Sequence, residues 1–354
     1  MTLAALRKKI DDIDAKIVRL LNERAKLSLA IGREKKKANK GIYAPHREKE
    51  VLDRIKALNK GPMTDEAFEA IYREIMSSSL ALEKPLNIAY LGTEGSFTHL
   101  AANKKFGSQV TYVPCVSISD VFLKVEHGEC DYGVVPIENS IEGAVTHTFD
   151  LLVDSELKIC AQILLKISHN LLARTDKIDG IRRIYSNPQV FGQCRQWLLK
   201  NLPKAELIPM ASTTLAAEKV ASGKEKGVAA IASKMAAKVY ALKIVKGNIQ
   251  DQAHNTTRFL VISTQDVPPT GKDRTSILFS IKDKVGALHD MLAPFYKNKI
   301  NLTKIESRPS KQKAWDYYFF VDFEGHKEDK KVKQALAQLE GMCKYLKILG
   351  SYPR

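Results

Sequence analysis

Arg24 stands where an apolar residue belongs. Leu3, Leu6, Ile10, Ile13, Ile17, Leu20, Leu27 and Ile31 recur in three–four steps, the seam of a long helix that packs on other helices, and Arg24 takes the missing step between Leu20 and Leu27. A guanidinium on such a seam is costly unless an anion meets it. Lys35 follows eleven residues later, close to three helical turns, so it points to nearly the same side. Arg7 lies seventeen residues before Arg24, about a quarter turn off that face, which assigns it to a different site along the helix, such as a partner's. Arg47 and Glu48 follow Pro45, and Ser79 and Glu83, four apart, share a face of a later helix.

A second group of polar residues sits in turns. Gly92-Thr93-Glu94-Gly95-Ser96-Phe97 lacks the spacing of a dinucleotide or P-loop fingerprint. It offers close backbone approach and free N–H groups at a helix start, suited to a carboxylate. Pro136-Ile137-Glu138-Asn139-Ser140 with Gly143, Ser186-Asn187-Pro188-Gln189, Ser212-Thr213, and Asn255-Thr256-Thr257-Arg258-Phe259 are further turns. Several turns at strand ends converging on one cleft is how α/β folds assemble ligand sites. Nearer the C-terminus, Asp283-Lys284-Val285-Gly286-Ala287-Leu288-His289 places small residues at a strand-to-helix turn, and Glu306-Ser307-Arg308-Pro309 ends a strand.

Three kinds of element must position these groups, in keeping with 354 residues being too many for one core. Residues 1–84 read as all-α: the long helix to about residue 37, a second helix opened by Ala44-Pro45 and closed by Gly61-Pro62, and a third capped by Thr64 with Asp65 and Glu66 behind it. So long an apolar stripe needs a partner helix, most simply from a second subunit. From Pro85 strands alternate with helices, at 86–92, 131–137, 183–186, 205–210, 227–232 and 258–263, which predicts a two-lobed α/β unit with parallel-type strands and a cleft over 86–265. Past Pro268-Pro269, over 274–354, the order strand (275–281), helix (286–297), strand (300–307), strand (315–323), helix (327–340), strand (343–350) is the βαββαβ order of an α+β ferredoxin-like sandwich.

Composition narrows the function classes. The formal charge is +16, yet Lys and Arg are spread along the chain rather than clustered with aromatics, so no nucleic-acid partner is expected. The run at 33–40 reads as the solvated end of a helix. Five cysteines without a paired or His-spaced pattern argue against disulfides and a zinc site, and no metal or cofactor is expected. With no signal peptide and no apolar run near the ~20 residues that span a bilayer, the chain reads as cytoplasmic, with no membrane partner.

Residues 1–84 resemble the all-helical chorismate mutases. The resemblance implies that Arg7, reaching in from another subunit, and Arg24 grip the carboxylates of chorismate, that Lys35 meets the breaking ether oxygen, and that Glu48, helped by Arg47, orients the ring hydroxyl, with Ser79 nearby. Some members carry Asp in place of Ala44 and Gln in place of Glu83. A Glu there donates to the ether oxygen only when protonated, so the mutase rate is expected to fall as pH rises. Residues 86–265 resemble prephenate dehydratase, marked by Thr257-Arg258-Phe259 and by the run from Pro136 to Ser140. That implies Thr257 as donor to the departing hydroxyl with Glu138 as its rival, Arg258 as support or carboxylate partner, and a pocket shaped by Ser96, Glu138, Asn139, Ser140, Ser186, Gln189 and Phe259. The family's usual turn has Pro at Thr93 and Thr at Ser96, and His is common at Asn187. The last unit resembles the ACT regulatory domain, implying a phenylalanine site between subunits made by Gly286, Ala287, Leu288 and His289 with Glu306, Ser307, Arg308 and Pro309. The order of parts is that of the bifunctional chorismate mutase–prephenate dehydratase family, which implies chorismate and prephenate as substrates, phenylalanine as allosteric inhibitor, and a homodimer or higher oligomer. The competing expectations are a periplasmic-binding-protein-like lobe pair that only binds, a mutase unit kept only for dimerisation, and a non-catalytic amino-acid sensor.

Overall fold

The computed structural model describes residues 1–37, 43–281, 285–310 and 317–354. Three helices, Leu3–Lys37, Pro45–Leu58 and Asp65–Glu83, open the chain. Thr64 Oγ1 accepts from the Ala67 N–H at 3.2 Å, and Asp65 and Glu66 supply the acidic first turn that favours the helix dipole. The first helix is 35 residues long, ~52 Å at ~1.5 Å per residue, and none of its residues is buried. Its seam from Leu3 to Ile31 faces outward within one chain, with Leu3 and Leu27 both more than 60% exposed (63% and 67%).

The α/β region forms two lobes. The first sheet runs in the order Thr111–Cys115, Asn87–Leu91, Tyr132–Asn139, Thr256–Ser263, Lys158–Lys166, with the short strand Gly143–Ala144 beside Tyr132–Asn139. The second runs Lys243–Lys246, Asn170–Ala173, Val228–Ala232, Arg183–Ser186, Glu206–Pro209. The expectation of parallel strands needs correction, because both sheets are mixed. Thr256–Ser263 pairs antiparallel with both its neighbours, and so does Asn170–Ala173. The chain leaves the first lobe after Lys166 and re-enters it at Thr256, and the first strand after each crossing, Asn170–Ala173 and Thr256–Ser263, runs against the helix-connected ones. Lys158–Lys166 is also absent from the sequence pattern: KICAQILLK is a near-continuous apolar run without alternation, which periodicity cannot assign.

The last unit has strands in the order Leu302–Pro309, Tyr317–Glu324, Asp273–Ser280, Tyr345–Pro353, all antiparallel, with helices Ala287–Lys297 and Lys330–Glu340. This is the ferredoxin-like order. Ile277, Phe279, Val321 and Phe323 pack under the two helices. Strand alternation sends Leu278, Phe320 and Tyr352 to the other side, where they share a core with Ile137, Ile159 and Leu260 of the first lobe. Gly350 lies so close to Ile159 that a Cβ there would collide with the Ile159 carbonyl oxygen. The opposite side of the first-lobe sheet packs on helix Phe97–Phe106 and receives Tyr43 from the helical region. The first lobe is thus the centre of the molecule, with the ferredoxin-like unit on one side and the helices on the other.

Candidate active sites

Helices Leu3–Lys37, Pro45–Leu58 and Asp65–Glu83 border an open cavity of about 990 Å³ that Arg24, Lys35, Arg47, Glu48, Ser79 and Glu83 all line. All six make contacts with partners inside the same lining. Arg24 Nη1 donates to Ser79 Oγ at 2.6 Å, and Lys35 Nζ lies 3.3 Å from Glu83 Oε2. Glu48 Oε2 accepts from Tyr43 Oη at 2.6 Å and pairs with Lys105 Nζ at 3.0 Å. Arg47 is more exposed and pairs with Glu50 one turn on. Arg7 is exposed near the start of the long helix, and the single chain does not bring it to this cavity. Sequence reasoning missed Arg73 and Lys105, which add cationic groups to the lining, and His46, whose pKa burial lowers in favour of the neutral ring. It also missed Gly32, where a Cβ would stand 2.9 Å from Glu83 Cγ; a glycine inside a helix was the available signal.

Between the lobes, Thr257 and Asn139 sit opposite each other on neighbouring strands. The Asn139 amide has one reading. Its Oδ1 accepts the backbone N–H groups of Ile141 (2.9 Å) and Glu142 (3.1 Å), so its Nδ2 is the group 2.7 Å from both Thr257 Oγ1 and Asn255 Oδ1. Thr257 Oγ1 therefore accepts from Asn139, which leaves the threonine's own proton to be donated elsewhere. Asn255 Nδ2 and His169 Nε2 meet Gln193 Oε1 at 3.2 and 2.8 Å, and Gln193 Nε2 donates to Glu142 Oε1 at 2.9 Å. Burial lowers the pKa of His169, favouring the neutral ring. Thr93 Oγ1 to Thr214 Oγ1 (2.8 Å) and Ser233 Oγ to the Gly95 carbonyl (2.7 Å) also tie the lobes together.

Four expected pocket residues are engaged elsewhere. Strand alternation turns Glu138 and Arg258 away from the Asn139–Thr257 pair and toward the ferredoxin-like unit. There Arg258 Nη1 meets Asp322 Oδ2 at 2.6 Å and Glu138 Oε1 at 3.2 Å, Nη2 donates to Tyr352 Oη at 2.7 Å, and Glu138 Oε2 pairs with Lys304. Burial pushes the Glu138 carboxyl up, but Lys304 and Arg258 outweigh it and hold it below the usual range. Phe259 is in the core, and the buried Ser186 donates to the Ile231 carbonyl at 2.8 Å. Ser96 caps helix Phe97–Phe106, with Oγ accepting from the His99 N–H. The Gly95 N–H, expected to meet a carboxylate, donates to His99 Nδ1, and Gly95 closely approaches Ala236. Ser140 Oγ joins two strand ends through the His254 carbonyl and the Thr256 N–H, and Gln189 is exposed at a helix start.

In the ferredoxin-like unit, Gly286 adopts φ +78° at the start of helix Ala287–Lys297. Ala287 is buried, Leu288 is partly exposed, and His289 projects outward. Asp283 and Lys284 of this motif lie outside the described residues. Glu306 and Arg308 are half-buried and Ser307 and Pro309 exposed on Leu302–Pro309, an edge strand; Arg308 lies 3.6 Å from Asp150 of the first lobe.

Comparison with known proteins agrees with this division of labour. Residues 6–84 match the model for chorismate mutase type II, 88–267 that for prephenate dehydratase, and 275–341 that for the ACT domain. The bifunctional chorismate mutase/prephenate dehydratase of Aquifex aeolicus (strain VF5) is 51% identical over 356 residues, covering 99% of this chain and 98% of that protein. This chain belongs to the bifunctional chorismate mutase/prephenate dehydratase family. The family's Pseudomonas aeruginosa representative is 46% identical over 99% of this chain and 98% of its own length. The prephenate dehydratase of Arthrobacter aurescens, solved in complex with L-Phe, matches with TM-score 0.70 at 33% identity, covering 76% of this chain and 90% of that one. As a chorismate mutase/prephenate dehydratase, the chain is both an isomerase and a lyase. Its helical cavity is the mutase candidate site and its interlobe turns are the dehydratase candidate site. Among the described residues no cluster of three or more His, Cys, Asp or Glu is placed to hold a metal, and no helix is long and apolar enough to cross a membrane.

Proposed function

We propose that the chain works in the cytoplasm on the route to phenylalanine, and that its units divide at 1–84, 86–265 and 274–354. In the mutase unit, Arg24 and a second subunit's Arg7 grip the two carboxylates of chorismate. Lys35 and Glu83 meet the ether oxygen, and Glu48, with Arg47 and Ser79 beside it, orients the ring hydroxyl. A Claisen rearrangement needs no nucleophile, so holding the compact conformer and stabilising charge on the ether oxygen suffice.

In the dehydratase unit, prephenate loses carbon dioxide as its ring hydroxyl departs. Thr257 gives that oxygen a proton, water leaves, the electrons of the broken C–C bond complete the aromatic ring, and the Thr257 alkoxide takes a proton back from solvent water, so that hydroxide is the net product beside carbon dioxide. The observation that carries this reading is Asn139 Nδ2 at 2.7 Å from Thr257 Oγ1, which reserves the threonine proton for the substrate. The ion pairs of Glu138 with Lys304 and Arg258 favour Thr257 over Glu138 as donor. The exposed seam of the long helix and the edge strand Leu302–Pro309 favour a homodimer or higher oligomer. In it, Gly286–His289 of one ACT unit and Glu306–Pro309 of another hold phenylalanine, and the bound arrangement disfavours the productive dehydratase site.

The test is chorismate turnover by wild type, Arg24→Ala and Thr257→Ala, with prephenate and phenylpyruvate followed separately. Arg24→Ala should lose only the first step, and Thr257→Ala should accumulate prephenate. A wild type that makes neither product while binding phenylalanine would leave an amino-acid sensor as the better account.

A further inference from the structure

The mutase cavity is not closed by the mutase unit alone. Lys105 and Phe106, from the last turn of dehydratase helix Phe97–Phe106, line it together with Tyr132, Cys160 and the segment from Gln265 to Pro268 that leads to the ACT unit. One contact crosses this boundary onto a residue of the mutase set. Glu48 Oε2 accepts from Tyr43 Oη at 2.6 Å and is paired with Lys105 Nζ at 3.0 Å. Tyr43 is buried in the dehydratase core against Phe106 and Tyr132, and the Lys105 ammonium also lies 5.9 Å from the centre of the Tyr43 ring. Burial raises the pKa of Tyr43 well above its usual value, so its hydroxyl keeps the proton it donates.

Both anchors fall on the same carboxylate oxygen. A glutamate side chain has three rotatable bonds, and two donors on Oε2 restrict them together while Oε1 remains to accept from a ligand. We infer that Lys105 is a positioning residue for the mutase reaction: supplied by the dehydratase unit, it fixes Oε2 of Glu48 so that Oε1 is presented to the substrate's ring hydroxyl. This rests on the assignment of Glu48 to that hydroxyl. The mutase site is then completed only by the folded dehydratase lobe, and Lys105 belongs to one activity by chain position and to the other by action.

Steady-state kinetics of the full-length chain test this, with chorismate to prephenate and prephenate to phenylpyruvate measured separately for Lys105→Met, Lys105→Arg, Tyr43→Phe, Glu48→Gln and Lys105→Met/Glu48→Gln. Lys105→Met should lower mutase kcat about tenfold or more, since small misplacements of an orienting group are amplified in rate. Its dehydratase kcat/KM should stay at the wild-type value. Lys105→Arg should recover most of the loss, and Tyr43→Phe, which keeps the ring in the core, should lower mutase kcat in the same direction. In the Glu48→Gln background, Lys105→Met should cause no further loss. An unchanged mutase kcat in Lys105→Met, alongside a reduced one in Glu48→Gln, would overturn the role of Lys105, and so would losses that multiply in the double variant. Equal losses of both activities in Lys105→Met with wild-type mutase rates in Tyr43→Phe would reduce the contact to a tie between units. Wild-type mutase turnover in Glu48→Gln would overturn the assignment of Glu48 itself, and Lys105's role with it.

Discussion

At the scale of residues, the dehydratase chemistry turns on which way one hydroxyl proton points. A threonine hydroxyl is a poor acid in water, so its use as a donor depends on positioning. Here Asn139 determines it, because two backbone N–H groups claim the amide oxygen and turn the amide nitrogen toward Thr257. Asn139→Asp replaces that nitrogen with an acceptor, and the Thr257 proton turns to the aspartate. Dehydratase kcat should fall ~10²–10³-fold, the cost of losing one preorganised donor, while mutase turnover is unchanged. Wild-type dehydratase turnover in this variant would exclude Thr257 as an oriented donor.

At the scale of elements, close packing decides where functional groups stand. Gly32 lets the first and third helices approach, and a Cβ there would press on Glu83 Cγ at 2.9 Å and push it from Lys35. Gly32→Ala should raise intrinsic helix propensity by ~1 kcal/mol yet cut mutase kcat at least about tenfold. An unchanged rate would show that Glu83 need not hold its observed position. The sheet-to-sheet contact between the dehydratase and ACT units is secured by the buried Arg258, bonded to Asp322, Glu138 and Tyr352. Asp322→Ala leaves this guanidinium under-paired and should cost ~3 kcal/mol in urea unfolding, the scale for breaking a buried ion pair. A loss within ~0.5 kcal/mol, typical of a surface change, would make the bond peripheral.

At the scale of the whole molecule, one chain presents a mutase cavity that its own Arg7 does not line and a long uncovered stripe. If Arg7 serves a second subunit's cavity, inactive Arg7→Ala and Arg24→Ala proteins should complement each other. After reassortment in a symmetric dimer, hybrids carry one intact site, and roughly a quarter of wild-type mutase activity should return. No recovery in a mixture shown to contain hybrids would place Arg7 outside the site. The dehydratase lobes carry a pH dependence of their own. Burial lowers the pKa values of His99 and His169 from 6.5, and His99 Nδ1 accepts the Gly95 N–H at 3.1 Å. Below about pH 6.5 the unfolded chain takes up protons that these folded histidines resist, so stability present above that pH is lost as pH falls. Thermal unfolding between pH 7.5 and 5.5 should show a falling midpoint, and replacing both histidines should shrink the slope; a slope unchanged by the replacements would assign it to other groups.

Local signals carried much of this molecule. The three helices, the βαββαβ order and six of the α/β strands follow from period, caps and turn residues, because each is settled within a few residues of itself. Helical spacing is regular enough to say that Arg24 and Lys35 share a face and that Ser79 and Glu83 do; that these and Glu48 form one set is implied by the resemblance to the helical chorismate mutases. Tertiary structure alone decided the rest. Whether Glu138 and Arg258 face the cleft or the ACT sheet depends on which side of their strands a third unit covers, and a two-residue period does not name that side. Lys105 reaches Glu48, and Gln193 reaches His169, Asn255 and Glu142, across boundaries that chain order leaves open. The first contact forms only when separate units pack and the second only when distant segments of the dehydratase unit meet, and no local spacing encodes either.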